Sequence, residues 1–284
     1  MRHPLGYLVL SVLLFGGVWP ISKDALRDAT PLWFALNRAG MAAVVSALVL
    51  AALGRLRWPK RADMPAVLAL GLLQLGGFFA LMHTALGILP AGRSSILGNV
   101  TLFWLIPLSV WLLGEKVSAR RWLAAGLGLA GVTVLMAPWG WAAGGGQAIG
   151  YGMLLLCSLM WSLAIIVTRR FPPASSVLEL LPWCFGLAAL LVAPIALWRE
   201  PLGGIGPGAW WQAVFVGAVA GPLGTWSTIE AGRRLPGAVV SLGFLMVPAI
   251  GVVVSSLWLG ETLGWDVLLG GGLIAVSVAV AVRG

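Results

Sequence analysis

Two stretches of this chain share one pattern, and the first reads, over residues 89–134, LPAGRSSILGNVTLFWLIPLSVWLLGEKVSARRWLAAGLGLAGVTV. The second reads, over residues 235–280, LPGAVVSLGFLMVPAIGVVVSSLWLGETLGWDVLLGGGLIAVSVAV. Their Leu-Pro, Leu-Gly-Glu, Gly-Leu and Val-x-Val positions all match at a spacing of 146 residues. The same spacing pairs Gly71 with Gly217 earlier in each copy. The chain is therefore a tandem duplication of a unit of about half its length.

The composition is typical of a membrane protein. Of the 284 residues, 60% are hydrophobic and 10% are charged, whereas a soluble domain carries about 25% charged residues. The net charge of +9 is spread over connectors between apolar runs and forms no basic patch interleaved with aromatic residues. This pattern indicates membrane topology. We therefore expect the lipid bilayer as a partner and no nucleic acid.

A helix needs about 20 apolar residues to cross a bilayer, and ten such segments can be placed. They are continuous rather than alternating, which favours helices over strands. The first segment lacks a small-residue cleavage site and is interpreted as a retained helix. We predict an all-α membrane protein with ten transmembrane helices near residues 4–22, 31–53, 64–88, 92–113, 120–138, 148–168, 176–198, 208–231, 237–259 and 264–282.

The connectors between these segments differ in charge. If the amino terminus lies inside, 13 Lys and Arg residues fall on the inner side and 4 on the outer side, with Arg38 left inside a span. Basic connectors stay in the cytoplasm, so both termini are predicted to be cytoplasmic. The inner set is Arg2, Arg55, Arg57, Lys60, Arg61, Lys116, Arg120, Arg121, Arg169, Arg170, Arg233, Arg234 and Arg283, and the outer set is Lys23, Arg27, Arg93 and Arg199.

Five helices in each repeat make the two copies enter the membrane in opposite senses. The predicted halves are residues 1–138 and 148–284, joined by a Gly-rich, uncharged periplasmic connector over 139–147 that is suited to a hinge. Two inverted five-helix repeats are the plan of many secondary transporters, which handle their substrate near the midplane between the halves.

The chain also resembles the EamA type of the drug/metabolite transporter superfamily over essentially its whole length. The resemblance rests on five features: the aromatic-small pair Phe15-Gly16, its echo Trp161-Ser162, the lone Arg38, the Leu-Pro start of the fourth and ninth spans, and the two Gly-Glu pairs. Phe15 replaces the family's usual Trp, and Cys184 stands where a second Arg38 would lie. Pro248 fits the family's proline before the Glu, but its first-half counterpart is not proline, so we expect the halves to bend differently.

The resemblance implies a secondary transporter in the bacterial inner (plasma) membrane that exports small metabolites by alternating access. It is closest to bacterial amino-acid exporters, including exporters of aromatic amino acids, and we expect a monomer rather than a dimer. A drug or other metabolite exporter of the same superfamily is one alternative. A non-transporting membrane scaffold subunit is the alternative from a different class.

Catalytic and metal-binding patterns are absent from the sequence. Only His3 and His83 are histidines, so no paired-histidine metal site or Ser-His-Asp triad can be assembled. Cys157 and Cys184 both fall inside spans, where a buried free cysteine packs as a small hydrophobe. We predict no enzymatic activity, no cofactor and no metal.

Polar and aromatic side chains within the spans are the candidates for substrate binding, because polar groups inside a membrane are costly. Gln74/Phe78 and Asn99/Phe103 are each four residues apart and share a helix face. Such faces suit a cavity for small amphipathic molecules, although single interhelical hydrogen bonds would use the same residues. The predicted cavity is lined by Asn37, Arg38, Gln74, Phe78, His83, Asn99, Phe103, Trp161, Trp183 and Trp226.

Arg38 has two interpretations. Its planar guanidinium could meet a substrate carboxylate, or it could snorkel outward or pin neighbouring backbone carbonyls. Because the family carries an arginine here across many substrates, the resemblance favours the structural role. Trp19, Trp33, Trp139 and Trp198 near span ends fit an interfacial belt.

Carboxylates are confined to the ends of the spans. Glu230 is expected to pair with Arg233 and Arg234, and Glu115 and Glu261 are expected to cap or anchor their turns. No Asp, Glu or His relay can be drawn across the membrane. We therefore predict transport down the substrate's own gradient, without obligatory proton exchange.

Overall fold

The computed structural model describes residues 4–136 and 146–282, and this part of the chain is helical. Neither range contains a β-strand, and an isolated bridge joins Ala29 to Ile205. Within lipid, a single segment satisfies its own backbone hydrogen bonds only as a helix. We number the helices α1 Pro4–Ala25, α2 Pro31–Ala52, α3 Arg61–Ile88, α4 Ala91–Leu113, α5 Ala119–Met136, α6 Gly146–Arg170, α7 Val177–Arg199, α8 207–234, α9 237–259 and α10 Trp265–Val282.

Helices α3, α4, α8 and α9 are composite. Helices α3 and α8 each contain a π-helical stretch, in which the backbone bonds run from i to i+5, and α4 and α9 are each interrupted near their middle. Helix α3 consists of Arg61–Asp63, Met64–Leu68, the π-helix Ala69–Gly77 and Phe78–Ile88. Helix α8 consists of Pro207–Ala209, Trp210–Val214, the π-helix Phe215–Ala220 and Gly221–Arg234. Helix α4 consists of Ala91–Gly98 and Thr101–Leu113, and α9 consists of Gly237–Phe244 and Met246–Leu259.

The outer surface of the helices is apolar. Among the described residues, 6 helices (α1, α2, α3, α4, α6 and α7) are long and apolar enough to cross a membrane, and α9 and α10 contain shorter apolar helices. Trp111, Leu190 and Leu257 are 83%, 73% and 82% exposed. Exposed apolar surface on this scale would be unfavourable in water. The chain is therefore a multi-pass membrane protein.

The irregularities of the helices repeat with the sequence. The π-helical stretches of α3 and α8 begin 146 residues apart, and the interruption at Asn99 in α4 lies 146 residues before the interruption at Leu245 in α9. The interruptions therefore lie at equivalent positions but differ in backbone: α4 leaves the helical conformation at Asn99 and Val100, whereas Leu245 in α9 keeps right-handed helical angles. Pro107 and Pro248 both lie within continuous helical pieces, because each interruption comes before the proline.

The contacts between the halves are related by the same spacing of 146 residues. A Cβ atom at Gly71 of α3 would lie 3.0 Å from the carbonyl oxygen of Cys184 on α7. A Cβ atom at Gly217 of α8 would lie 3.3 Å from the carbonyl oxygen of Arg38 on α2. Since Gly217 and Cys184 are the repeat counterparts of Gly71 and Arg38, the two contacts are equivalent under exchange of the halves. Each glycine lets two helices from different halves approach closely.

Helices α5 and α10 join the halves in the same reciprocal way. A Cβ atom at Gly131 would lie 2.8 Å from the carbonyl oxygen of Gly270, and a Cβ atom at Gly270 would lie 2.8 Å from that of Gly131. The Ser277 hydroxyl donates a hydrogen bond of 2.6 Å to the carbonyl oxygen of Ala124. Under the 146-residue spacing, Ala124 is the counterpart of Gly270, and Gly131 is the counterpart of Ser277.

The predicted boundary between the halves falls largely outside the described residues. Of the connector 139–147, residues 139–145 are not described, and α6 begins at Gly146. The hinge role of this connector and the exact domain limits stay predictions.

Candidate functional site

A cavity of about 460 Å³ lies between the two halves. Its lining residues come from α1 to α4 in the first half and from α6 to α10 in the second. At one end the cavity reaches Val177, the first residue of α7. At the other end it stops at Arg38 and Met82, which lie 7 and 6 residues inside the ends of α2 and α3.

We call the two ends of the molecule by their chemistry and geometry. The basic end carries the connectors α2–α3, α4–α5, α6–α7 and α8–α9, and 11 of the 13 basic residues assigned above to the inner side lie in or beside them. The closed end carries the connectors α1–α2, α3–α4, α7–α8 and α9–α10. The cavity therefore extends to the basic end and is sealed toward the closed end.

The structure brings five of the ten predicted side chains together in this cavity. Arg38, Gln74, Phe78, Asn99 and Trp161 line it. The Phe78 and Trp161 rings come from different halves and meet edge to face at 5.1 Å between centroids. The Asn99 side-chain amide donates to the carbonyl oxygen of Ser95 at 2.7 Å, which fixes its orientation at the interruption of α4. Their roles in substrate binding stay predictions.

Two of the predicted tryptophans lie elsewhere. Trp183 sits near the start of α7 at the basic end, where it packs against Trp58 at 4.1 Å between centroids and donates to the carbonyl oxygen of Arg57. It lies six residues after the start of α7 and is not among the residues that line the cavity. Trp226 packs edge-on against Tyr7 at 5.3 Å, away from the cavity-facing side of α8.

The other three predicted residues lie outside the cavity wall. The Phe103 ring packs against Trp104 at 4.6 Å. His83 is fully buried, and its Nδ1 lies 2.7 Å from the carbonyl oxygen of Phe79. The side-chain oxygen of Asn37 is buried with no hydrogen-bond partner among the described residues.

The sequence analysis missed several lining residues. Phe15 and Phe244 both line the cavity, with ring centroids 6.5 Å apart, and Thr225 and Thr228 line it one turn apart on α8. Trp19 was assigned to an interfacial belt, but it is only 4% exposed and lines the cavity. Phe15 carried a usable signal, because it belongs to the repeated aromatic-small pair that also contains the lining residue Trp161.

Arg38 is buried at the sealed end of the cavity with no carboxylate beside it. It is 6% exposed, and its guanidinium carbon lies 3.9 Å from the centroid of the Phe79 ring. Its Nη1 lies 3.6 Å from the Met82 sulfur, a weak acceptor, and its Nε has no partner among the described residues. The guanidinium therefore keeps most of its hydrogen-bonding capacity for an occupant of the cavity.

A carboxylate holds the closed end together across the two halves. Gly260 ends α9 with a φ of 70°, which glycine adopts without strain. This turn carries Glu261 to the start of α4, where its two oxygens accept from the backbone N–H groups of Ala91 and Gly92 at 2.6 and 2.8 Å. Glu261 was expected to cap or anchor its own turn, but in the structure it caps a helix of the other half.

Further polar contacts reinforce the closed end. Arg93 forms an ion pair of 2.5 Å with Asp266 in the first turn of α10. Lys23 near the end of α1 donates to the carbonyl oxygen of Leu86 at 2.5 Å. These contacts join α1, α3, α4 and α10 at the end where the cavity is sealed.

The repeat counterparts at the basic end pair differently. Glu115, the counterpart of Glu261, forms an ion pair of 2.5 Å with Arg169, the counterpart of Lys23, and is 35% exposed. Glu230 pairs with Arg233 and Arg234 at 3.2 and 2.7 Å, which confirms the ion pair expected from the sequence.

The chain belongs to the EamA-like transporter family, because both halves, residues 4–137 and 148–283, match that family. The uncharacterized transporter YvbV of Bacillus subtilis is 27% identical over 96% of this chain and 89% of its own. A probable terminal-alkyne amino-acid exporter of Streptantibioticus cattleyicolor is 23% identical over 97% and 92%. A probable amino-acid metabolite efflux pump of Salmonella typhimurium is 26% identical over 100% and 96%.

A solved crystal structure has the same fold. It superposes with a TM-score of 0.69 at 20% sequence identity, and the match covers 97% of this chain and 95% of the other. The family match of both halves makes the protein a membrane transporter and not an enzyme.

Proposed function

We propose that this protein exports amino acids, including aromatic ones, and related small metabolites from the cytoplasm by alternating access. The observation that carries the proposal is the cavity between the two repeats, which combines the aromatic rings of Phe78 and Trp161 with the polar groups of Arg38, Gln74 and Asn99. Two relatives named as exporters of amino acids or their metabolites support this substrate class.

The proposed topology has ten transmembrane helices in two inverted five-helix repeats, with both termini in the cytoplasm of a bacterial cell. The excess of basic residues at one end supports this orientation. With the basic end in the cytoplasm, the cavity opens inward in this structure, so a cytoplasmic substrate could enter it. Transport would then follow the substrate's own gradient, since no described lining residue is Asp, Glu or His.

We expect purified protein in liposomes to release preloaded phenylalanine without a pH gradient or membrane potential. Trp161→Ala and Gln74→Leu should slow this efflux at least several-fold, because both remove side chains from the cavity wall. Trp198→Ala is the matched control, since Trp198 is 76% exposed near the end of α7. Efflux that depends strictly on an imposed pH step would contradict the down-gradient mechanism, and equal rates for all three variants would contradict the assigned cavity.

A labelling experiment tests the topology. In a variant without Cys157 and Cys184, a cysteine at Gly145, which lies outside the described residues, should react with an impermeant thiol reagent from the periplasm. A cysteine at Leu56, in the α2–α3 connector at the basic end, should react only from the cytoplasm. The reverse pattern, or reaction of both sites from one side, would refute the inverted arrangement.

A further inference from the structure

We propose that Arg38 binds the carboxylate of the transported molecule and that the protein does not require the α-ammonium group. The inference rests on the proposed export function and defines its substrate class by the carboxylate. It extends the class from amino acids to small apolar carboxylates whose amino group is absent or acylated, such as aryl-substituted hydroxy acids and N-acyl amino acids.

The first step is the unmatched charge of Arg38. Among the described residues, the ion pairs of the chain lie at the ends of the helices, and none includes Arg38. Its contacts, the Phe79 ring and the Met82 sulfur, leave the guanidinium without a charged or strong neutral acceptor. A buried cation of this kind is stabilised by an anion that binds it, and a planar guanidinium fork suits a carboxylate.

The second step is the location of Arg38. A structural arginine would pin backbone carbonyls or reach toward the membrane surface. Arg38 instead lies about 10 Å inside the nearer end of α2, from 7 residues at 1.5 Å each, and it lines the sealed end of the cavity. A molecule entering from the basic end would therefore meet Arg38 last, with its carboxylate leading.

The third step concerns the opposite charge of an amino acid. None of the lining residues in the described part of the chain is acidic. Three carboxylates near the two ends of the cavity are occupied, because Glu261 caps α4, Glu230 pairs with Arg233 and Arg234, and Glu179 pairs with Arg55. An α-ammonium group would find only aromatic faces and neutral polar groups, so removing it eliminates a desolvation cost without removing an ion pair.

Anionic substrates would also respond to the membrane potential. A molecule with a carboxylate and no ammonium carries one negative charge, and an inside-negative potential drives it outward by a factor of about 50 per 100 mV. Such export would need no proton relay, in agreement with the absence of Asp, Glu and His from the described cavity lining.

The experiment is a competition in proteoliposomes that exchange labelled phenylalanine and, separately, labelled 3-phenyllactate. Phenyllactate and N-acetylphenylalanine should compete within about fivefold of phenylalanine, since the lining offers the ammonium no ion pair. Phenylalaninamide, which lacks the carboxylate, should compete at least tenfold more weakly, as expected for the loss of a charge-assisted hydrogen bond. Net efflux of preloaded phenyllactate, measured with no substrate outside, should also accelerate under an imposed inside-negative potential, because each molecule carries one negative charge outward.

These outcomes distinguish a failure of the inference about Arg38 from a failure of the proposed export function. If labelled phenylalanine crosses but phenylalaninamide competes equally well, the role of Arg38 is overturned while export stands. If phenylalanine crosses but phenyllactate does not compete, the ammonium group is required and that part of the inference is overturned. If neither labelled compound crosses, the proposed function fails and the inference fails with it.

Variants give a second, independent measurement. Arg38→Gln should reduce the preference for phenylalanine over phenylalaninamide to about twofold or less, whereas Arg38→Lys should keep part of it, because the charge remains but the planar fork is lost. Arg199→Gln, at the end of α7 outside the cavity, should leave the preference unchanged. A purely structural Arg38 would change the folded yield or the rate but not this ratio. The wild-type competition decides the question even if Arg38→Gln does not fold.

Discussion

Gly131→Val should strongly reduce the yield of folded protein, whereas Gly126→Val on the same helix should be tolerated. The added Cβ atom at Gly131 would lie 2.8 Å from the carbonyl oxygen of Gly270 and 2.8 Å from the Ile274 side chain, so α5 and α10 would have to separate. Overpacking of this kind costs about 1–3 kcal/mol and more where backbone must move. A Cβ atom at Gly126 meets no atom within 4 Å. The difference between the two variants is measured as the melting temperature in detergent, which is followed by size-exclusion chromatography.

The pair of variants isolates packing from helix propensity. Both glycines lie inside α5, so exchanging either for valine changes the intrinsic helix propensity equally. The partner helix offers a second pair, since Gly270→Val should behave like Gly131→Val, and Gly272, where an added Cβ atom would meet no atom within 4 Å, should tolerate valine. Equal melting temperatures for the two α5 variants would show that the contact with α10 is not needed for folding.

The helices could be predicted well from the sequence because the lipid environment restricts apolar segments to one conformation. Uninterrupted apolar runs of about 20 residues must be helical in lipid, and the observed helices follow the ten predicted segments closely. The 146-residue spacing also carries tertiary information, since glycines at equivalent positions make equivalent contacts between the halves. The spacing contains no direct signal for a π-helical stretch or for the interruption at Asn99, because these depend on packing between helices.

The site was less predictable because composition does not fix how a helix is rotated. Gln74 and Phe78 were assigned to one face from their spacing, and both line the cavity. Trp183 and Trp226 were assigned from their type and approximate depth alone, and neighbouring helices turn them toward Trp58 and Tyr7. Arg38 was interpreted mainly as structural, and its lack of an acidic partner becomes visible only when the surrounding helices are in place.

Glu261→Gln should open the closed end. In this structure, the two Glu261 oxygens accept from the first N–H groups of α4, and a carboxylate there is favoured by the positive end of the helix dipole. A glutamine side chain keeps one acceptor, but its NH₂ group cannot accept from the second N–H. Loss of a charge-assisted hydrogen bond costs about 1.5–3 kcal/mol, which corresponds to at least a tenfold larger population open at this end if the contact exists only in the sealed state.

The measurement uses a cysteine at Ile96, which lines the cavity near its sealed end, in a variant without Cys157 and Cys184. An impermeant thiol reagent added from the periplasm should label this cysteine at least ten times faster when Glu261→Gln is present. Glu115→Gln is the matched control, because it disrupts the equivalent contact at the basic end, the ion pair with Arg169. It should not increase labelling from the periplasm, since the contact that it weakens lies at the other end of the inverted repeat. Equal acceleration by both variants, or none by Glu261→Gln, would mean that Glu261 caps α4 without controlling access to the cavity.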